Sequence, residues 1–402
     1  MIAEIKFKNL FSFRDEAVFS FEADKSKEME SYHVVEVVPG VRLLKFAVIY
    51  GANASGKSNF LKVYYFLKNF VLHTPVSKNE TMGILPFLMD EKSQNEYSDI
   101  TISFYVCKPN DTPVKYVYSL SLNRNHIKSE SLIYYPSQQP ATIFERDIKN
   151  RVSTVQFGNK IKLSAAAKEE VALKCLPNMS VLAAYMQVNI DVTEIENVIN
   201  YFNGCLMNPI ASFIPQTTLA QERLKEMKNK EYILKYLQEA DFNISDIYTQ
   251  ENVPEGFTPV TMFKHKVRNE SGKDFFFDFP ERFESEGTLR TMDVAGYINE
   301  LIARDAILTI DEIESSLHPK LIEYIIERFL KESNKAQLIV STHYDGLLAQ
   351  DDLLRNDNIW FTEKNNDGAT LLYPLTDFKG LNRISSLQKA YRFGKFGAIP
   401  NI

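Results

Sequence analysis

Hydrophobic and polar residues alternate with two different spacings along this 402-residue chain. Residues 1–23 alternate on both sides of a polar centre at Asn9–Asp15, which predicts a hairpin of two strands at the edge of a sheet. Short alternating segments, separated by Asn, Asp and Pro turns, recur from about residue 99 to residue 144. We therefore expect an antiparallel β block in the first part of the chain.

Mostly apolar residues also form three continuous runs, Leu44–Tyr50, Ala306–Ile310 and Gln337–Ser341. A continuous run is typical of a strand that is buried on both faces, as in a parallel sheet covered by helices. Each run is followed by a loop and then by residues at helical spacing, which indicates strand–helix units. The expected fold class is α/β, with a mixed or parallel core sheet beside the antiparallel block.

Helical spacing dominates between about residues 163 and 241, and it is clearest in Gln221–Glu239. The sequence Asn-Val-Pro-Glu-Gly at 252–256 ends this pattern. A strand pair near 261–279 and a helix from about 287 to 303 are expected next. The predicted organisation is an N-terminal lobe, a helical insert and a C-terminal lobe, at residues 1–160, 161–256 and 257–402.

Size and composition limit the class of protein. The chain is 45% apolar and exceeds the roughly 250–300 residues at which single cores stop growing, so we expect two lobes. No apolar run approaches the ~20 residues of a membrane-spanning helix, and the strand-like N-terminus does not resemble a secretory signal. We therefore expect a cytoplasmic protein with no membrane segment.

The net charge and the cysteine content bear on two possibilities, nucleic-acid binding and a disulfide or zinc site. The net charge of −6 does not favour a surface that binds nucleic acid everywhere, although a local basic patch stays possible and DNA remains open as a partner. Cys107, Cys175 and Cys205 are odd in number and lack the spacing of zinc ligands. We expect them to be ordinary reduced cysteines.

The loop after the first apolar run carries the strongest chemical signal. Residues 51–58 read Gly-Ala-Asn-Ala-Ser-Gly-Lys-Ser, the full Walker A pattern of a P-loop, whereas a chance glycine-rich turn would not need this strand–loop–helix context. In such a loop the backbone N–H groups converge on phosphates, Lys57 reaches the β and γ oxygens, and the Ser58 hydroxyl binds Mg²⁺. The expected ATP contacts are Gly51, Asn53, Ala54, Ser55, Gly56, Lys57, Ser58 and Asn59.

Two carboxylates end the second apolar run. Asp311 at the strand tip is placed to complete the Mg²⁺ shell, and Glu312 is placed to polarise the attacking water as general base. An acidic turn after a buried strand is common by itself. The functional interpretation therefore depends on the P-loop lying close by in the fold.

Two further positions are candidates for contacts with the γ-phosphate. His343 ends the third apolar run, and ligands of open α/β sheets lie at the carboxyl ends of strands. Ser285 and Gly287 begin a predicted helix, whose N–H groups and dipole attract anions. A structural histidine and a simple N-cap at Ser285 are the alternatives. The expected catalytic residues are Lys57, Glu312 and His343.

The order of these motifs resembles that of ATP-binding cassette (ABC) ATPases, because Walker A is followed by Ser-Glu-Gly-Thr at 285–288, by Asp-Glu at 311–312 with Ser-Leu-His-Pro at 316–319, and by the strand ending in His343. Asp311 follows Lys57 by 254 positions (311 − 57). This long separation resembles that of the soluble RecF, SMC and OLD-like branch. More closely, the chain resembles the AAA-family ATP-binding proteins of abortive-infection and phage-defence operons, of the AbiL, RloA and AriA kind. That resemblance also rests on Asn9–Asp15, Pro86–Leu88, Asn358–Phe361, Asp377–Gly380 and Gly397–Ile402.

The resemblance implies an ABC-type P-loop NTPase head that hydrolyses ATP with Mg²⁺ in a head-to-tail homodimer, or in a higher oligomer. Ser285 and Gly287 of one protomer would close on the γ-phosphate held by Lys57 of the other, with His318 near the opposing site. Such an ATPase would sense infection and regulate an operon-encoded effector, either a toxin or a Toprim-type nuclease. The alternatives are a RecF-like or SMC-like ATPase that acts on DNA in repair or recombination, and an ATP-binding scaffold that hardly turns over.

Overall fold

The computed structural model describes residues 1–107, 112–149, 152–211, 227–239, 243–250, 259–268 and 270–399. The strands in these ranges are β1 (Ile2–Lys8), β2 (Ala17–Ser20), β3 (Val34–Val38), β4 (Val41–Leu44), β5 (Phe46–Tyr50), β6 (Ser98–Val106), β7 (Val114–Leu122), β8 (Ile127–Tyr135), β9 (Ala141–Lys149), β10 (Val152–Phe157), β11 (Ile244–Gln250), β12 (Val260–Arg268), β13 (Asp274–Pro280), β14 (Ile307–Ile310), β15 (Gln337–Thr342), β16 (Ile359–Lys364) and β17 (Thr370–Pro374). The α-helices are α1 (Glu30–His33), α2 (Lys57–Phe70), α3 (Glu91–Asn95), α4 (Ala165–Lys174), α5 (Val181–Tyr185), α6 (Thr193–Gly204), α7 (Met227–Glu239), α8 (Glu286–Ala303), α9 (Pro319–Glu332) and α10 (Leu387–Arg392).

A five-stranded sheet in the order β14-β15-β5-β16-β17 forms the core, and its first four strands are parallel. The three apolar runs form β5, β14 and β15, and their residues are buried, so the prediction of buried parallel strands is confirmed. Ile310 pairs with Val340, and Thr342 pairs with Tyr50. The carboxyl ends of three strands therefore meet at one edge of the sheet, where the candidate loops begin.

A second sheet of seven antiparallel strands has the order β10-β9-β8-β7-β6-β1-β2. The hairpin predicted from residues 1–23 consists of β1 and β2, and β2 lies at the edge of this sheet as expected. The predicted antiparallel block is also confirmed, and it extends past residue 144 because β9 and β10 continue it to Phe157. The α/β class with a mixed core sheet and an antiparallel block is therefore correct.

Three helices, α4 to α6, pack on the antiparallel sheet and share its apolar core. Phe104 in β6 stacks on Tyr201 in α6 with ring centroids 4.3 Å apart. The buried carboxylate of Glu130 accepts a hydrogen bond from Val181 N–H at the start of α5, at 3.0 Å, and it pairs with Arg146 at 3.3 Å. These helices are thus joined to the sheet by apolar packing and by a buried ion pair.

The later part of the predicted insert returns to the core sheet. Leu206 and Ile210 form parallel bridges to Ile307 and Ile310 in β14. The break at residues 252–256 and the first part of Gln221–Glu239 lie outside the described residues, as do positions 400–402 of the C-terminal motif. The strand β11 falls within 161–256 and pairs with β12. The division into three segments stays a prediction.

The remaining elements follow the sequence pattern closely. β12 and β13 form the strand pair expected near residues 261–279, and α8 is the helix expected from about residue 287 to 303. Within the described ranges, no helix has both the length and the apolar surface needed to cross a bilayer.

Candidate functional site

The loop at residues 51–58 connects β5 to α2 and packs tightly against β16 and β17. Gly56 has φ +117°, and a Cβ there would lie 2.3 Å from Thr370 Oγ1. A Cβ at Gly51 would lie 2.4 Å from Thr362 Oγ1. Only glycine fits at both positions, because one needs a left-handed backbone and both have no room for a side chain.

Hydroxyl groups on β16 and β17 hold this loop in place. Ser55 Oγ and Thr362 Oγ1 share a hydrogen bond of 2.6 Å. Thr370 Oγ1 lies 2.8 Å from both Ser55 O and Ser12 Oγ. A carbonyl oxygen can only accept, so the Thr370 hydroxyl donates to Ser55 and accepts from Ser12. The loop, the β1–β2 turn and the start of β17 are therefore joined by one chain of hydrogen bonds.

The Lys57 side chain makes three hydrogen-bonding contacts inside the site. It is buried, and its Nζ donates to Gly51 O at 2.9 Å and to Ala52 O at 3.1 Å. Its third contact is His343 Nε2 at 3.0 Å. An ammonium has three donors and no acceptor, so the neutral His343 ring accepts here and carries its proton on Nδ1.

Burial lowers the pKa of Lys57 to about 8, while the carboxylates of Asp311, Glu312 and Glu314 act in the opposite direction. The pKa of His343 is also lowered, first by burial and then by the positive charge of Lys57. The shift of His343 favours a neutral imidazole, and Lys57, with a pKa of about 8, keeps its ammonium charge at neutral pH. The three carboxylates also lie close enough to act on Lys57, so folding brings the two distant motifs together.

Asp311 and Glu312 are positioned by a serine on the neighbouring strand. Ser341 Oγ donates to Asp311 Oδ1 at 2.5 Å and accepts from Glu312 N at 2.9 Å. Asp311 is buried at the tip of β14, whereas Glu312 is exposed and has φ 48°. A left-handed backbone is uncommon for a residue with a Cβ, so this turn is held by its surroundings.

Glu314 supports the segment that carries His343. Its carboxylate accepts from Thr342 Oγ1 at 2.7 Å and from His343 N at 2.5 Å. The acidic turn after β14 therefore fixes the backbone at the end of β15. The sequence marks this turn as acidic but does not indicate that its third carboxylate has this role.

Ser285 is the N-cap of α8, because its Oγ accepts from Thr288 N at 3.0 Å. The N-cap at Ser285 is therefore present, and its contact with a γ-phosphate stays a prediction. A Cβ on Gly287 would lie 3.0 Å from Ser316 O, so the helix start packs on the turn after β14. A cavity of about 290 Å³ is bordered there by Glu286, Arg290, Asp311, Glu312 and Ser316.

The other predicted positions are exposed or partly exposed around the loop. Asn53 and Ala54 are exposed, and Ser58 is half-buried in the first turn of α2. Asn59 Oδ1 accepts from Lys62 Nζ at 3.2 Å. His318 is the N-cap of α9 and its Nδ1 accepts from Lys320 N at 3.3 Å.

Several residues that support the site carry no recognisable signal in the sequence. Ser341, Thr362 and Thr370 contact the loop or the two carboxylates across strands, while Ser12 contacts Thr370 and Glu314 contacts the end of β15. In the described part of the chain, no group of three or more His, Cys, Asp or Glu side chains could hold a metal ion.

Known proteins resemble this chain to different degrees. A family profile described as "AAA domain, putative AbiEii toxin, Type IV TA system" matches residues 46–170 and 206–349, more than half of the chain. These two ranges contain every predicted site residue. None of the curated proteins compared with the chain matches it.

Solved structures of SMC heads overlap the chain at low identity. The SMC head domain from Thermotoga maritima is 12% identical, with 93% of this chain and 98% of that chain covered and a TM-score of 0.43. An Smc head domain bound to the C-terminal domain of ScpA, from Pyrococcus furiosus, is 14% identical, with 98% of each chain covered and a TM-score of 0.43.

Proposed function

Because the chain belongs to this AAA domain family, we propose that it is an ABC-type ATPase that binds ATP with Mg²⁺ and hydrolyses it. The observation that carries the proposal is the contact of 3.0 Å between Lys57 Nζ and His343 Nε2, beside the Asp311–Ser341–Glu312 hydrogen bonds. These groups come from loops after three neighbouring parallel strands, where α/β folds bind ligands.

The loop at residues 51–58 binds the phosphates in this proposal. Its N–H groups and the start of α2 face the β-phosphate, and Lys57 exchanges its carbonyl partners for β and γ oxygens. Burial strengthens the contacts between Lys57 and the phosphate oxygens, because water screens charge interactions less in a buried site than at the surface. Gly51, Asn53, Ala54, Ser55, Gly56 and Asn59 complete the contacts.

Ser58 and Asp311 fit a Mg²⁺ ion that is shared with the nucleotide. Mg²⁺ in nucleotide sites is held by one or two protein oxygens, by phosphate oxygens and by water, so a three-residue cluster is not required. The ion neutralises charge on the phosphates when it is bound. Ser341 keeps the Asp311 carboxylate in one orientation for this purpose.

Hydrolysis requires a water aligned with the γ-phosphorus. Glu312 takes a proton from this water while the water oxygen forms a bond to the γ-phosphorus. The bond between the γ-phosphorus and the β–γ bridging oxygen breaks, and ADP leaves. His343 donates a hydrogen bond to the γ-phosphate after its ring turns away from Lys57 or takes up a proton. Glu314 keeps the backbone of His343 in place by accepting a hydrogen bond from its N–H.

The decisive experiment compares steady-state hydrolysis by the wild type and Glu312→Gln. Loss of a general base lowers kcat by about 100- to 10,000-fold, and ATP binding should persist because Lys57 is intact. Glu286→Gln is the matched control on the same cavity, and its rate should stay within about twofold of wild type. Equal and negligible rates for wild type and Glu312→Gln would support the scaffold alternative instead.

We also propose that this ATPase controls a partner effector, a toxin or a nuclease, in defence against phage. The sequence resemblance supports this role, and the family description, which names a putative toxin and a type IV TA system, supports a toxin-related setting. In this proposal two protomers enclose two ATP molecules, and Ser285 and Gly287 of each contact the γ-phosphate bound by the other. Glu312→Gln with ATP should run as a dimer or larger assembly in light scattering, and Ser285→Arg should not. A Glu312→Gln variant that stays monomeric with ATP would contradict the sandwich.

A further inference from the structure

The strand β13 lies at the edge of the three-stranded sheet, whose order is β11-β12-β13. It pairs with β12 from Asp274 to Pro280, and no other strand in the described ranges pairs with its outer edge. Such an edge carries backbone N–H and C=O groups that can pair with a further strand, and natural edge strands usually prevent this by being short or charged. β13 instead carries four phenylalanines among its seven residues.

These phenylalanines are exposed on both faces of the strand. Phe276, Phe277 and Phe279 are 54, 49 and 40% exposed, and Phe283, just beyond the strand, is 66% exposed. Phe277 lies on one face between Phe275 and Phe279, with ring centroids 5.1 and 6.2 Å away, and Phe276 lies on the opposite face. Apolar side chains on both faces are typical of a strand inside a sheet rather than at its edge.

The exposed aromatic surface is large for a soluble protein. The exposed fractions of the four phenylalanines together equal about two complete side chains, which is roughly 400 Å² at roughly 200 Å² per side chain. Contiguous apolar patches of several hundred Å² mark interaction surfaces. An apolar patch that surrounds an unpaired strand edge is suited to another strand rather than to a helix or a small molecule.

We propose that β13 pairs with β13 of a second copy of this chain, antiparallel and around a two-fold axis at Phe277. All seven residues then have a partner, because Asp274 lies opposite Pro280 of the second copy. Phe275 lies opposite Phe279, and Phe277 lies opposite the same residue of the other copy. Pro280, which lacks an N–H, lies at the end of the paired region, so it removes only a terminal hydrogen bond in each copy. The two three-stranded sheets become one sheet of six strands.

The charges of this segment favour that register. It places Asp278 opposite Phe276, and it places Lys273 opposite Glu281 of the second copy, so an attractive pair lies at each end. The neighbouring two-fold registers place Asp274 opposite Asp278, or Asp278 opposite itself, which is destabilising. They also pair only five residues of β13 instead of seven. The segment is therefore complementary to itself in one register, which identifies a second copy as the occupant.

This contact goes beyond the proposed ATPase activity and does not depend on nucleotide. A single pair of strands buries less than the roughly 1,200 Å² of a stable interface, so we expect a dissociation constant on the order of 100 µM. At low micromolar concentration the contact does not hold a dimer by itself, and the proposed ATP sandwich can be measured there without interference. Where both contacts form, two different two-fold interfaces would link the dimers into a larger assembly.

Disulfide cross-linking of the full chain, without nucleotide, tests the register. Phe277→Cys is treated at about 100 µM with copper phenanthroline, which accepts the two electrons that two thiols release, and wild type gives the background of the native cysteines. A covalent dimer should form, because opposite Cα atoms of paired strands lie about 4.5–5.5 Å apart. Phe275→Cys is the matched control on the same face. Its two copies lie four positions apart along the strands, about 14 Å, so it should cross-link at least about tenfold more slowly.

A mixture of two variants gives a second check of the register. Phe275→Cys and Phe279→Cys lie opposite each other in the proposed pairing, so the mixed proteins should cross-link to each other, and each alone should not. Thermal melts of all cysteine variants check the fold.

Reversal of charge tests the same contact without thiols. Lys273→Glu places carboxylates opposite each other at both ends of the pair, so the association should weaken by about tenfold. Adding Glu281→Lys to this variant should restore it, because the attractive pair is then inverted. Analytical ultracentrifugation across the expected dissociation constant measures each protein.

Two results would overturn the proposal. One is a rate of cross-linking for Phe277→Cys that does not exceed the rate for Phe275→Cys, which would mean that the chains meet by chance or that a different protein covers β13. The other is an association that Lys273→Glu leaves unchanged. Neither measurement uses ATP, so a protein that fails to hydrolyse ATP or to form the sandwich can still pass both.

Discussion

Lys57 and His343 are 286 positions apart in the chain, and their Nζ and Nε2 atoms lie 3.0 Å from each other. The ammonium donates, so the ring must be neutral and must accept. Lys57 and the histidine at the end of β15 thus use one hydrogen-bonding position of each other's side chain. In the proposed ATPase a phosphate oxygen would replace this contact, so nucleotide binding would release His343 from Lys57.

The affinity for ATP should depend on pH through Lys57. Burial lowers its pKa to about 8, so the free protein loses the ammonium charge as the pH rises through that value. Below pH 8 the affinity should be flat, and above it the affinity should fall by up to about tenfold per pH unit, since one pKa unit corresponds to about 1.36 kcal/mol. Titration of a fluorescent ATP analogue from pH 6.5 to 10 measures this.

Lys57→Arg is the control for that experiment, because a guanidinium keeps its proton throughout the range. Its affinity can be lower overall, but its profile should not bend near pH 8. A bend of the same size in both proteins would mean that another group causes it.

Removing the hydroxyl of Ser341 should damage catalysis more than nucleotide binding. Ser341→Ala leaves Asp311 and the Glu312 N–H without a shared partner, so we expect kcat to fall about 10- to 100-fold from loss of orientation. The free energy of unfolding should drop by about 1–3 kcal/mol. Steady-state hydrolysis and urea unfolding measure the two effects.

Thr309→Val is the matched control for Ser341→Ala. Thr309 lies in the neighbouring strand β14, is buried, and has an Oγ1 for which the described residues provide no partner. Removing such a hydroxyl should be neutral or slightly stabilising and should leave kcat unchanged. Equal losses in the two variants would show that any polar change in this sheet disturbs the site.

Thr370→Val should weaken ATP binding although Thr370 is not part of the phosphate loop. The change keeps the shape of the side chain but removes the hydrogen bonds to Ser55 O and Ser12 Oγ. We expect the Kd for ATP to rise about tenfold, because the loop is no longer held in its binding conformation. Thr261→Val, at a buried hydroxyl with no partner in the described ranges, should not change the Kd.

The buried pair of Glu130 and Arg146 should be strongly coupled in stability. Arg146→Met leaves a buried carboxylate without its cation, which costs about 3–5 kcal/mol. The double variant Arg146→Met with Glu130→Leu should recover part of this loss, because no unpaired charge remains. Urea unfolding at pH 7 gives both values. A double variant less stable than Arg146→Met would contradict the coupling.

The sequence predicts those parts of this fold that local pattern determines. The apolar run at Leu44–Tyr50 identifies β5 because a strand buried on both faces needs few polar residues, and the Walker A pattern identifies its loop. β11 escapes prediction, since Ile244–Gln250 mixes polar and apolar residues and follows a long helical pattern.

The supporting residues of the site depend on strand order, which local pattern does not contain. Ser341 contacts Asp311 because β15 lies next to β14, and Thr370 contacts Ser55 because β17 returns beside β16. A serine or threonine has the same appearance in the sequence wherever its strand is placed. These contacts become visible only when the sheet is assembled.

The hydroxyls that support the phosphate loop are synthesised long after the loop itself. Ser55 leaves the ribosome 307 residues before Thr362 and 315 before Thr370, the two threonines that hold it. An unfinished chain therefore carries the full Walker A sequence but lacks its supports. The nascent protein can acquire these supports only after β16 and the start of β17 have been synthesised, so in the proposed ATPase the phosphate loop would take its final form only then.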